Sequence, residues 1–303
     1  DSLVNQQILA EVKKRLNQID IDGILDSNYI AELIRDSSAS PFRTVGSTER
    51  PDVVVAKILE GRIAIFVDGT PVVLTVPYLF IENFQSNEDY YMNFYYSSLS
   101  RLLRILAFFL TIATPALYIG IASFHTEIIP TNLLINIAAE RSSVPLPAVV
   151  EVALMLVLFD IIRETGVRMP SSIGQSLSIV GALVIGQAAV EAKLAASTVI
   201  IIVAVTSLTG LLVPKTDAAN IVFRVLLLIL GSMFGIFGIV LGLSALMAHI
   251  LNLRSFGVPQ ITPTGQLRYQ EIKDIFIRAP WWQMRERPWL LTKNLTRMKN
   301  KDA

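Results

Sequence analysis

Residues 102–124 read LLRILAFFLTIATPALYIGIASF, an apolar run whose one charge, Arg104, lies near its start. A helix needs about 20 such residues to cross the hydrocarbon of a bilayer, so the stretch predicts a membrane span. Pro115 in its middle predicts a kink, which neighbouring helices in a bundle tolerate. Further along, residues 173–190 (IGQSLSIVGALVIGQAAV) and 194–213 (LAASTVIIIVAVTSLTGLLV) predict two close spans around Glu191 and Lys193. The run 221–252 has 32 residues. At a rise of 1.5 Å per residue it makes one helix of about 48 Å, enough for a tilted crossing but short of two crossings and a turn. Residues 148–162 are short for a span and carry Glu151 and Asp160. At about 100° per residue these carboxylates point to opposite helix faces, so one partner can hardly neutralise both. Asp160 can pair with Arg163, and Glu164 with Arg168, along the same helix. A re-entrant or interfacial helix fits this block better than a simple crossing.

Composition agrees with a membrane protein. Of 303 residues, 52% are hydrophobic and 17% charged, with a mean hydropathy of +0.54; a soluble domain holds about 25% charged residues. The net charge of +1 hides three unlike regions. Residues 1–101 hold 9 Lys/Arg and 14 Asp/Glu, residues 102–252 hold 7 of each, and residues 253–303 hold 10 basic and 4 acidic. The expected architecture is an α-helical polytopic membrane protein. It has an α+β cytosolic domain in 1–101, a transmembrane helical domain in 102–252 and a basic cytosolic tail in 253–303. The near balance of charge argues against a nucleic-acid binder. The absence of cysteine excludes disulfides and thiolate metal sites. Two histidines, His125 and His249, are too few for zinc; His125 and Glu127 read more simply as an exposed loop pair. No catalytic order of Ser, His and Asp or paired carboxylates suggests an enzyme, and no cofactor is implied. The start at Asp1, without Met or signal segment, reads as a portion or processed form of a longer chain.

Within 1–101, residues 3–19 place Leu3, Ile8, Leu9, Val12, Leu16 and Ile19 at helical spacing. A short helix follows near 28–35. Pro51 opens another helix through VVVAKILE, with Gly61 as its stop. RIAIFVDGTPVVLTV then reads as two strands joined at Asp68-Gly69-Thr70-Pro71.

Several patterns in the apolar region are candidates for function. Gly231, Gly235, Gly238 and Gly242 fall on one face of a continuous helix and read as close packing or as a hinge. Gln175, Ser178, Ala182, Gly186 and Ala189 form a small or polar stripe, either a helix seam or a pore lining. Glu151 and Asp160 are intramembrane charges. Ser171-Ser172 reads as a helix cap. Trp281, Trp282 and Trp289, interleaved with Arg285 and Arg287, read as an interfacial anchor beside acidic lipid. Arg101, Arg104 and the basic tail should all face the cytoplasm, which requires an even number of crossings. With 148–162 not crossing, Arg163 and Arg168 fall on the opposite side, against the rule.

An ordered set of short motifs carries a family resemblance. They are Pro41-Phe42, Thr48-Glu49-Arg50-Pro51-Asp52, Leu59-Glu60-Gly61-Arg62, Glu88-Asp89-Tyr90-Tyr91, Arg101-Leu102-Leu103-Arg104 and residues 124–130 (FHTEIIP). Residues 163–170 (RETGVRMP), 179–190 (IVGALVIGQAAV) and 255–259 (SFGVP) complete them. The chain resembles the A subunit of GerA-type germinant receptors of endospore-forming bacteria. It departs from the pattern at Arg43, where a proline is common, and at Gln260, where an aromatic often stands. A sporulation-protein paralogue shares the same core. The resemblance implies a multi-pass protein of the spore inner membrane, with its N-terminal domain and C-terminal tail cytoplasmic. It implies a nutrient-binding, transporter-like B subunit and a lipoprotein C subunit as partners, and a homo-oligomer acting as a nutrient-gated cation channel. Two other readings compete, a secondary transporter and a non-conducting scaffold of the receptor complex. The transporter would call for inverted repeats, which the sequence lacks.

Overall fold

The computed structural model describes residues 3–261, 274–288, 291, 292 and 294–297; the side chains of 171–173 and 175–179 lie outside the description. The chain is mostly helical with a small sheet, and divides into two compact units. One joins residues 1–105 to 247–303; the other comprises residues 106–246.

In the first unit, the amphipathic spacing gives α1 (Gln6–Asn17), with Asn5 capping Gln7, and α2 (Ser27–Ile34). Helix α3 (Pro51–Leu59) starts on the expected proline and ends before Gly61, whose φ of +90° suits glycine. Strands β1 (Gly46–Thr48), β2 (Ile63–Ile65) and β3 (Val73–Val76) form an antiparallel sheet in the order β1-β3-β2. The pairing of Ile63 with Val76 and Ile65 with Leu74 is the hairpin read at residues 68–71. After the last long helix, β4 (Arg254–Ser255) and β5 (Val258–Pro259) make a second small sheet. Phe256 and Val258 enter the same core as Ile8, Val12, Ile34, Leu74 and Val76. The two family departures meet there: Gln260 Nε2 donates to the Arg43 carbonyl at 2.7 Å.

Buried charges in this unit are paired. Burial alone would push the Glu82 carboxyl up, but Arg62 and then Lys57 outweigh it and hold it at about 2. Arg101 is 0% exposed and reaches Asp274 at 3.0 Å and Asp89 at 3.6 Å. Arg104 grips both oxygens of Asp89 at 2.9 Å. The arginines counted for membrane orientation are therefore partly neutralised in ion pairs, and the Arg101-Leu102-Leu103-Arg104 motif is wired to the Glu88-Asp89-Tyr90-Tyr91 motif.

The second unit is helical. Helix α4 (Phe94–Phe124) passes from the first unit into it, followed by α5 (Thr131–Ser142), α6 (Ala148–Arg168), α7 (Ser171–Glu191), α8 (Ser197–Leu211) and α9 (Asp217–Asn252). Two stretches, Phe94–Phe124 and Pro214–Asn252, are long and apolar enough by composition to cross a membrane.

The block 148–162 is the larger part of α6, a continuous helix of 21 residues, about 31 Å long. Its Glu151, Val152, Met155 and Leu156 are buried. One expectation is corrected: the run 221–252 is not one continuous helix. At Gly235 the backbone takes φ +60°, ψ −141°, a combination open almost only to glycine. The chain folds back there: a Cβ placed on Gly242 would meet Leu227 Cδ2 at 2.5 Å, and one on Gly231 would meet Ile239 at 3.3 Å. In a straight helix the fifteen positions from Leu227 to Gly242 would be about 22 Å apart. Two antiparallel arms result, 217–234 and 236–252, about 27 and 26 Å long. A one-residue turn removes the length objection to a double crossing.

The helices of this unit alternate in direction. Thr111 on α4 bonds Thr209 at the end of α8 (2.9 Å). Arg163 near the end of α6 lies 3.7 Å from Asp217 at the start of α9. At the opposite end, Glu151 near the start of α6 meets Ala196 before α8, and Phe124 closing α4 meets Gly235. Thus α4, α7 and the first arm of α9 run one way, and α6, α8 and the second arm run back.

Replacing Gly235 with Ala should destabilise the protein by about 1–3 kcal/mol, because a Cβ forces strain at this φ and contacts Phe124 and His125 at 3.0 Å. Thermal unfolding in detergent checks this. An unchanged melting temperature would mean that the turn is not built on the glycine.

Candidate functional site

The buried polar groups of the helical unit gather at its two ends. At one end, the first turns of α8 lack a side-chain cap of their own. Glu151, 1% exposed, reaches across from α6 and accepts the Ala196 N–H at 2.5 Å. Glu140 at the end of α5 accepts from the Thr198 hydroxyl at 3.1 Å. Two carboxylates at a helix N-terminus satisfy orphan N–H groups and complement the helix dipole. Among the described residues, neither the second Glu151 oxygen nor the Tyr118 hydroxyl, both buried, has a hydrogen-bond partner. Tyr118 belongs to the core shared by α4, α6, α7, α8 and the first arm of α9.

At the other end sits an ion-pair chain between α6 and the first arm of α9. Asp160 pairs with Arg224, and Arg163 lies between Asp160 (4.0 Å) and Asp217 (3.7 Å). Arg224 is 5% exposed, and among the described residues its Nε has no partner. One turn before it, Asn220 is buried, and neither of its amide atoms has a partner among the described residues. The local Asp160–Arg163 pair read from the sequence exists, but Arg224, 64 residues away, is the closer partner. Glu164 and Arg168 pair as expected, at 2.7 Å on an exposed surface. The opposite faces inferred for Glu151 and Asp160 explain why each carboxylate has its own partner. Sequence reading missed Arg224 because a lone arginine in an apolar run carries no signal for its mate.

The other candidate residues are placed as follows. A Cβ on Gly231 would meet the Ala116 carbonyl of α4 at 3.1 Å, Gly235 makes the break, and Gly238 and Gly242 let the second arm approach the first. They do not share one continuous helix face, because the helix is not continuous. In the α7 stripe, Gly186 packs near Ile200 of α8 and Ala189 is buried in the core; Ala182 is half-buried. Gln175 and Ser178 fall among the side chains outside the description, as do Ser171 and Ser172; Pro170 occupies the cap position of α7. His125 lies against the Gly235 turn. Among the described residues, no cluster of His, Asp and Glu could hold a metal. The Thr48-Glu49-Arg50-Pro51-Asp52 motif forms the corner from β1 into α3. Arg50 bonds Asp52 at 2.9 Å, and the Tyr91 hydroxyl donates to Asp52 at 2.7 Å. Together, Arg50 first, they hold that carboxyl well below the usual range. In the tail, Arg287 donates to the carbonyls of Leu59, Asn294 and Thr296. Trp289 lies outside the described residues.

The chain is thus a mostly helical protein with a small sheet, and two of its helical stretches are long and apolar enough by composition to cross a membrane. The model of the Bacillus/Clostridium GerA spore germination protein family matches residues 1–290, and the chain belongs to that family. It is 46% identical over 293 residues to Spore germination protein KA of Bacillus subtilis (strain 168), covering 96% of this chain and 54% of the relative. To the Uncharacterized membrane protein YfkQ of the same organism it is 44% identical over 290 residues, covering 95% and 56%. To Spore germination protein GerLA of Bacillus cereus it is 39% identical over 300 residues, covering 98% and 61%. The chain thus spans little more than half the length of these relatives. No solved structure matches it.

Arg224→Gln would leave Asp160 with only the 4.0 Å contact to Arg163. The expected cost is about 3 kcal/mol, seen as a lower melting temperature in detergent. Adding Asp160→Asn should recover part of the loss. Additive losses would show that the pair is not coupled.

Proposed function

We propose that this chain is the membrane core of an A-type germinant-receptor subunit in the spore inner membrane. Its partners are a nutrient-binding, transporter-like B subunit and a lipoprotein C subunit. Copies of the chain assemble into, or gate, a path for cations. The ordered family match along the chain carries this reading. The helical unit supports it with six alternating strokes: α4, α6, α7, α8 and the two arms of α9. An even number of crossings returns the chain to the side it left, as expected if residues 1–105 and 247–303 fold together on the cytoplasmic side of the bilayer. Arg163, Arg168 and Lys215 then lie at the cytoplasmic end of the bundle, in keeping with the positive-inside rule.

The mechanism we propose moves α7. Small residues at Gly186 and Ala189 seat it on α8 without interlocking bulk, so it can shift when the partner binds nutrient. In this reading the stripe read from the sequence at Gln175, Ser178 and Ala182 lines the cation path. With no charge in the stripe, selectivity among cations is modest. The Asp160–Arg224 pair holds α6 to the α9 hairpin in the closed state.

Because the chain has no cysteine, single substitutions Gln175→Cys, Ser178→Cys and Ala182→Cys report without background. In liposomes containing the subunit, cation flux should appear and be blocked by a water-soluble thiol reagent at one or more of these positions. Flux that no substitution makes sensitive would remove the stripe from the path. Protein that inserts but never conducts, even with its B subunit, would favour the non-conducting scaffold.

A further inference from the structure

The strongest unassigned feature lies where the C-terminal segment meets the start of α4. Asp274 bonds Arg101 at 3.0 Å, the Arg278 N–H donates to the Ser98 hydroxyl at 3.2 Å, and the Trp282 ring stands edge-on to Phe94 with centroids 5.9 Å apart. The contact order 274–101, 278–98, 282–94 means that the segment runs antiparallel along the helix. Ion pairs and hydrogen bonds occupy the face of α4 beneath it, which includes Ser97 and Arg101, both buried.

The neighbouring face is different. Tyr95, Tyr96, Leu99, Leu102, Leu103, Leu106 and Phe109 are all exposed. At about 100° per residue they fill one sector of roughly 140°, over about 21 Å of helix. No charged side chain interrupts the sector. Beside it the returning segment exposes Phe276, Ile277 and Trp282, the last 65% exposed. The order along the axis is informative. Tyrosines and tryptophan cluster at the N-terminal end, and only leucine and phenylalanine follow toward the apolar middle of the helix. Tyr and Trp favour the headgroup layer, where a ring is buried and its polar atom stays wet, whereas Leu and Phe favour hydrocarbon.

We propose that this face is a lipid contact. The bilayer interface crosses the protein at the level of Tyr95, Tyr96 and Trp282, and residues 276–282 form a second anchor in the same headgroup layer. The lipid-facing part of α4 thus begins about two turns before residue 102, and the tail is held at the membrane by both its ion pairs and its aromatic side chains. The inference rests on the membrane reading of the helical unit.

The three tryptophans, Trp281, Trp282 and Trp289, all lie in the tail, so intrinsic tryptophan emission reports on this region alone. The protein is reconstituted in phosphatidylcholine–phosphatidylglycerol vesicles brominated at shallow or at deep acyl carbons. Unsubstituted protein, Trp289→Phe, and Trp289→Phe with Trp282→Phe are compared. Shallow bromine should quench emission more than deep bromine in all three, because Trp281, the tryptophan left in the third, lies in the same layer as Trp282; deep bromine quenching more than shallow in any of them would overturn the placement of the interface. Flotation of the protein with the vesicles, with emission quenched by aqueous iodide and not by either brominated lipid, would overturn the proposal: the face would then meet water or a protein. Failure to float would instead remove the membrane reading itself.

Discussion

At Gly235 the chain reverses between two apolar arms within one residue, and the layout of the helical unit depends on that reversal. A side chain at this φ and ψ would be strained and would press on Phe124 and His125. The turn converts a run that by length looks like one helix into two strokes, and so changes the parity of the bundle. With α6 a full helix as well, six strokes bring the chain back to the end of the unit at which it entered. Residues 254–260 then join the fold built by residues before 105, supplying Phe256 and Val258 to its core.

The same layout lets the unit hold charge at low cost. A carboxylate in an apolar interior is expensive unless it is paired or hydrogen-bonded. Glu151 is met by the start of α8, and Asp160 by Arg224 and more distantly by Arg163. Each contact joins two helices, so the polar groups also fix which helices touch. Among the described residues, the Asn220 amide and the Arg224 Nε on the same arm of α9 have no hydrogen-bond partner.

Much of this was legible from local pattern. Period and punctuation located α1, α2, α3 and the β2–β3 hairpin, because caps, Pro51, Gly61 and the Asp-Gly turn act on their immediate neighbours. The apolar runs located α4, α7 and α8. The break at Gly235 was not legible: glycines at steps of four and three read equally well as a packing face on one helix, and only contact between residues far apart distinguishes a fold-back. The full length of α6 was hidden for a related reason. Its Glu151 and Asp160 look unfavourable for a buried helix until Ala196 and Arg224 are brought beside them. Of the candidate site, the sequence singled out the two carboxylates and the small-residue stripes but not their mates. The family motifs, each short, specified the receptor class through their order rather than through any local chemistry.

The fold-back is tested most directly by which side of the membrane its flanks occupy. In the cysteine-free chain, Lys215→Cys precedes α9, Arg285→Cys lies in the tail, and Glu191→Cys lies at the opposite end of the bundle. Each is labelled in sealed vesicles with a membrane-impermeant thiol reagent. The hairpin predicts that Lys215→Cys and Arg285→Cys react from one side and Glu191→Cys from the other. Labelling of Lys215→Cys and Arg285→Cys from opposite sides would mean that α9 crosses once, contradicting the reversal at Gly235.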